Sequence, residues 1–204
     1  MLVYADESYR EQNTANCKST FAAVCIPEDR YRAFEIDLFR LKKHFWKVQE
    51  PSDLELKGRL LLSERAIELP KNREFIRQLI ALLREYNIVP LAVVQDGSFP
   101  LSTLKVDHLP QLYRAVLRRV DRYMVEKYPN DHAVLFFDGI DHQTNQKVAV
   151  SFTNYMFRHQ AGIQCQHILP VPNFSDSHRL REAGTPGRLL RRVPQHVIYV
   201  SESR

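Results

Sequence analysis

No stretch of this chain approaches the ~20 consecutive apolar residues that a bilayer-spanning helix needs, so no membrane span is expected. The N-terminus has no basic segment followed by an apolar one. No secretory leader is therefore expected, and the cytoplasm is the expected compartment. Cysteine is scarce: Cys17, Cys25 and Cys165 are odd in number, and their spacing fits neither a zinc site nor a redox motif. A disulfide framework is not expected, and Cys25, inside an apolar run, reads as a small core residue. No H-E-x-x-H spacing links the histidines, so His142, His159 and His167 read as ordinary polar residues. No G-x-S-x-G elbow is present, which argues against a serine hydrolase. Internal repeats and low-complexity segments are also missing.

The 204 residues are enough for one domain with a substantial core. Hydrophobic residues make up 44% and charged residues 26%, the balance of an ordinary globular chain. A net charge of +5 and a pI near 9.2 are compatible with a polyanionic partner such as nucleic acid.

Short apolar runs over 2–8 and 20–26 read as strands joined by a polar turn, hence as an antiparallel hairpin. Helical spacing follows over 28–48, where Tyr31, Phe34, Ile36, Leu38, Leu41 and Phe45 form a stripe behind Pro27. Residues 49–59 read as a loop. A second helix is expected over 70–86 and a strand over 88–94, whose Pro90 argues for an edge or an unpaired start. A third helix over 109–128 precedes the most strand-like run, 133–137, which reads as a central strand buried on both faces. A fourth helix over 145–159 and a last strand over 163–171 complete the series. Strands separated by helices imply parallel crossovers. The expectation is an α/β fold: a mixed sheet of about five strands with helices on both faces.

Three strand ends deliver acid: Asp6 with Glu7, Asp138 with Asp141 close behind, and Asp176. Sites gather at the ends of strands in α/β sheets. Carboxylates that converge repel one another unless a cation binds or a proton is shared. Hard oxygen ligands suit Mg²⁺ or Mn²⁺, and such a site can position a phosphate and activate water for phosphodiester hydrolysis. On this reading Asp6, Asp138 and Asp176 are the metal ligands, and Glu7 completes the shell or orients water. Lys57 contacts a phosphate or neutralises the acids, and Ser8 and Ser177 support the ligands. The same residue types also serve as turn and cap residues, and a lysine is more often simply solvated.

Tyr4-Ala5-Asp6-Glu7-Ser8 resembles the opening Y-x-D-E-S/A of the bacterial domain-of-unknown-function family 3800. Glu55-Leu56-Lys57-Gly58 resembles its E-x-K-G/A element, and Leu109-Pro110-Gln111-Leu112-Tyr113 the start of its middle helix. Phe136-Phe137-Asp138 and Ser175-Asp176-Ser177 resemble its later acidic strand ends. The motifs occur in order across residues 1–177. The resemblance implies an RNase H-like fold with a metal-dependent nuclease site, in a family found in bacteria and mobile elements, with some members linked to phage defence. Glu55 is carried over as a supporting residue.

Beyond residue 177 the chain departs from that pattern. The family follows D-S with a helix of the form L-Q-x-A-D, whose Asp would face the strand carboxylates. Residues 178–204 instead hold Arg179, Arg181, Arg188, Arg191, Arg192 and Arg204, no lysine, and the helix breakers Gly184, Pro186, Gly187 and Pro194. Two readings stay open: a basic tail that binds nucleic acid, or a frameshifted or truncated gene end. Ala183-Gly184-Thr185-Pro186-Gly187-Arg188 can be encoded so that a one-base shift reads Leu-Gly-Leu-Gln-Val-Ala, although the expected Asp is not recovered. The alternative to an enzyme is a catalytically inactive module that binds nucleic acid or a partner protein, or a remnant of such an enzyme.

Overall fold

The computed structural model describes residues 1–8, 18–51, 53–54, 56, 58–97, 106–139 and 141–175, with the side chains of 59 and 60 left aside. Five strands, β1 (Leu2–Ser8), β2 (Lys18–Ile26), β3 (Val89–Asp96), β4 (Val134–Asp138) and β5 (Asn173–Ser175), form one sheet in the order β3-β2-β1-β4-β5. The sheet is mixed, and β1–β4 and β4–β5 are its parallel pairs. Parallel neighbours need long crossovers, and helices supply them: α1 (Glu28–Trp46), α2 (Gly58–Leu62), α3 (Glu64–Glu68), α4 (Pro70–Glu85), α5 (Gln111–Lys127), α6 (His142–Arg158) and α7 (Gln160–Ile163). The arrangement is consistent with an RNase H-like fold. No helix among the described residues is long and apolar enough to cross a membrane.

The chain divides into two compact units. The first holds residues 1–23 and 91–176, and the second includes 24–90, so the division falls inside β2 and β3. In the first unit, alternate residues of β1 and β4 point to opposite faces. Val3, Ala5, Leu135 and Phe137 are buried. Phe137 meets Phe21 of β2, Tyr113 of α5 and Phe152 of α6. The apolar residues of α5 recur at helical spacing, and Leu112, Tyr113, Val116, Leu117, Val120 and Met124 are all buried. An Arg119 guanidinium donates to the Ala92 carbonyl, tying α5 to β3.

In the second unit α1 and α4 lie together. Phe75 is fully buried between Phe45 and Trp46, with ring centroids at 5.5 and 4.4 Å. The Tyr86 hydroxyl donates to Asp37 at 2.5 Å, which holds that carboxyl below its ordinary range. Cys25 is completely buried, as an apolar run predicts, and burial pushes its thiol up to about 12.

Three expectations change. The loop predicted over 49–59 gives way to α2 already at Gly58, and α3 follows at Glu64–Glu68, where the sequence suggests no element; both helices are too short to show a helical period. The strand predicted over 163–171 is not formed. Residues 160–163 are helical, only Ile168 bridges to Ala133, and pairing resumes at Asn173. Pro170 and Pro172 have no N–H to give a ladder, so the strand is displaced beyond them. Finally, β4 is buried on one face only, because Val134, Phe136 and Asp138 are half-buried. β3 lies at the sheet edge, where Pro90 leaves no partner strand unpaired.

Candidate functional site

β1 and β4 run abreast with Leu2 opposite Val134, Val3 opposite Leu135, Tyr4 opposite Phe136 and Ala5 opposite Phe137. The next residue on each strand is an aspartate, Asp6 and Asp138. In a parallel pair, residues in register share a face. Tyr4 and Phe136 show this directly, their rings stacked with centroids 4.8 Å apart. Asp6 and Asp138, two residues further along, continue that face as neighbouring half-buried carboxylates. β5 brings Ser175 opposite Asp138. The Ser175 hydroxyl donates to the Phe137 carbonyl at 3.4 Å, and the Gly139 N–H donates to the Ser175 carbonyl at 2.7 Å.

Glu7 is one residue out of phase with Asp6. It follows Val3 and Ala5 onto the covered face, where the Tyr113 hydroxyl donates to its carboxylate. Tyr113 is itself fixed by stacking on Phe21, with centroids 4.0 Å apart. Burial pushes the Glu7 carboxyl up to about 8, and the charges of Asp6 and Asp138 push the same way, while the Tyr113 hydrogen bond opposes them. Glu7 is therefore a neutral acid at pH 7. Three carboxyl groups lie within electrostatic range of one another, but on two faces of the sheet.

Asp141 has a different task. As N-cap of α6 it accepts from the Thr144 N–H at 2.9 Å and the Thr144 hydroxyl at 2.6 Å, and these bonds hold its carboxyl low. It starts a helix whose first turn carries Asn145. A Cβ added to Gly139 would meet the Asn145 amide nitrogen at 3.5 Å and the Ser175 carbonyl oxygen at 3.0 Å, so both groups crowd the end of β4.

Of the residues expected from sequence, the structure brings Asp6 and Asp138 together, holds Glu7 within range beneath them, and leaves Ser8 exposed at the end of β1. Glu55, Lys57, Asp176 and Ser177 lie outside the described residues. Among the described residues, no three His, Cys, Asp or Glu side chains form a group able to hold a metal ion. Sequence reasoning assigned no role to Tyr113 or Asn145. Tyr113 stood in a motif already noticed, but nothing in that motif pairs it with Glu7. Asn145 gave no signal beyond its place just after a strand-end acid. Compared with protein-family models and with curated proteins, the chain matches none.

Proposed function

We propose that this chain is a divalent-metal-dependent nuclease or phosphodiesterase of RNase H-like fold, related to the family 3800 whose motifs it resembles. The observation that carries the reading is the register that sets Asp6 beside Asp138 at the ends of two adjacent parallel strands. Two half-buried carboxylates one strand apart are a hard-oxygen pair suited to Mg²⁺ or Mn²⁺. Asp6 and Asp138 would hold the ion, with Asp176, next after β5 in the sequence, as the third expected ligand. A bound divalent ion supplies Lewis-acid polarisation of a phosphoryl oxygen and a more acidic water. Lys57 is the proposed phosphate contact, and the net charge of +5 favours a polyanionic substrate.

The test is cleavage of pooled single- and double-stranded DNA and RNA with Mg²⁺ or Mn²⁺, beside Asp6→Asn combined with Asp138→Asn. The wild type should cleave only with metal, and the double variant should lose on the order of 10³-fold or more of that activity while keeping its fold. Equal cleavage by both proteins, or none by either, rejects the proposal.

A second reading is a module that binds nucleic acid or a partner protein without turnover. Its support is that residues 178–204 carry six arginines where the resembled family has its L-Q-x-A-D helix. It predicts salt-dependent binding with no cleavage, and loss of that binding when residues 178–204 are removed. A remnant truncated by frameshift would show in the nucleotide sequence across codons 177–190, as a downstream frame restoring the L-Q-x-A-D helix.

A further inference from the structure

A second polar concavity lies in the first unit, between the N-terminal part of α5 and the C-terminal end of α6. Its volume is about 240 Å³, and Arg114, Arg158, His108, His159, Asn154 and Tyr155 are the residues that give it its chemistry; Asp107 is its one acid and Leu109 its apolar wall. Among the described residues neither Arg114 nor Arg158 has an ion-pair partner. The Arg114 guanidinium approaches His108 Nε2 at 3.3 Å, which fixes its plane, while its own Nε is buried with no hydrogen-bond partner. Tyr155 is only 4% exposed, and its hydroxyl too is buried with no partner. A buried, unpaired hydroxyl or guanidinium N–H costs about 1–3 kcal/mol. The cavity thus holds two guanidiniums with no ion-pair partner among the described residues, against the single carboxylate of Asp107.

We propose that this pocket binds a phosphate monoester, carried on a nucleotide or on the end of a nucleic acid strand. Guanidinium groups bind phosphate through paired N–H donors. Arg114 and Arg158 line the cavity from different helices, and the Asn154 amide, which donates to the Val106 carbonyl at 3.3 Å, keeps a second N–H. Donors from several directions match the three terminal oxygens of a tetrahedral phosphate better than the two of a flat carboxylate. The cavity is larger than a phosphate alone requires, so the group bearing it has room. The Tyr155 and His159 rings, 5.2 Å apart, offer that group an aromatic wall, and Asp107 can accept from its hydroxyls. Tyr113, which serves Glu7, and Arg114, which serves the pocket, are consecutive on α5 and point about 100° apart around the helix. The two sites are therefore separate, and this one needs no metal.

The test is calorimetric titration of the full chain in chelator with inorganic phosphate, a nucleoside 5′-monophosphate, and a short oligonucleotide with either a 5′-phosphate or a 5′-hydroxyl. Both phosphate-bearing ligands should bind more tightly than inorganic phosphate, and the tighter of the two identifies the source. Arg158→Gln, at an exposed position, and Arg114→Gln should each weaken binding by about tenfold, with the thermal transition retained. The proposal is overturned by no binding at millimolar ligand, by equal binding of 5′-phosphate and 5′-hydroxyl strands, or by both variants binding as the wild type does. Because no metal is present, none of these outcomes bears on the carboxylate pair.

Discussion

The strand-end carboxylates and the α5–α6 pocket belong to one compact unit, yet they are opposites in charge and in construction. The first gathers acids by strand register: Asp6 and Asp138 meet because β1 and β4 are in parallel alignment. The second gathers bases by helix packing: Arg114, Asn154, Tyr155 and Arg158 meet because the start of α5 lies by the end of α6. In each, groups of like charge lie close together, and this costs stability. At the strand ends the cost appears in Glu7, whose proton is retained to a pH of about 8. In the pocket it appears as unpaired buried donors on Arg114 and Tyr155. The two sites therefore ask for ligands of opposite sign, and each can be broken without the other.

A glycine stands at the edge of each, and the two should respond differently. Gly162, in α7, holds the turn beneath Tyr155: an added Cβ would fall 2.0 Å from the Tyr155 carbonyl oxygen and 2.6 Å from its carbon. Both are backbone atoms and cannot rotate away. Gly162→Ala should cost more than about 3 kcal/mol, beyond ordinary overpacking, and abolish phosphate binding. Chemical denaturation with calorimetry checks this, and the metal-dependent cleavage per folded molecule should persist.

Glu7→Gln breaks the acidic side alone. The unfolded carboxyl titrates near 4.5 and the folded one near 8, so between those values the native state keeps a proton that the unfolded state has lost. Wild-type stability is thus full below pH 4.5, falls as pH rises to 8, and levels off above. One pKa unit is at most ~1.4 kcal/mol, and partial solvent access reduces the total to about 2 kcal/mol. Gln cannot ionise but still accepts from Tyr113, so the variant should be flatter across that window and more stable than wild type at pH 8. Urea titrations at pH 5 and pH 8 measure the difference. A wild-type curve that rises over this interval would show that Glu7 is not a buried neutral acid.

Gly139→Ala is milder than its counterpart in α7. Its Cβ would meet the Ser175 carbonyl oxygen at 3.0 Å, a contact that a few tenths of an ångström of movement relieves. The expected loss is about 1 kcal/mol of stability. Any larger effect should appear in metal-dependent activity, because the displacement falls on the residue paired with Asp138. Comparing the thermal midpoint with the cleavage rate separates the two.

The acidic site was far more legible in the sequence than the basic one. Apolar runs ending in Asp6 and Asp138 mark two strands and their ends, and the intervening helices make those strands parallel, so the pairing follows from local signals. What the sequence hid was phase. Asp6 and Glu7 look like a single acidic pair, but a strand's two-residue period sends them to opposite faces. The last strand was misread because apolar residues over 163–171 outweighed the two prolines that break them, while the true strand, Asn173–Ser175, has a single large apolar residue. The basic pocket left no trace at all. Its residues are scattered from 107 to 159, and His159 read as an ordinary polar residue, because only helix packing brings them together.

The smallest expected change sharpens the contrast most. Tyr155→Phe removes one buried hydroxyl that has no partner and leaves the ring, its packing and the neighbouring Cys165 in place. Removing an unsatisfied buried donor recovers part of its desolvation cost, so the ligand-free variant should be more stable by about 1 kcal/mol. Saturating phosphate should raise both proteins equally and leave that difference unchanged, because the hydroxyl is closed off from the cavity. A pair of denaturation curves for each protein, with and without phosphate, reads this difference directly. A purely structural tyrosine would show the same difference in both conditions, whereas a ligand-binding one must show a difference that depends on phosphate.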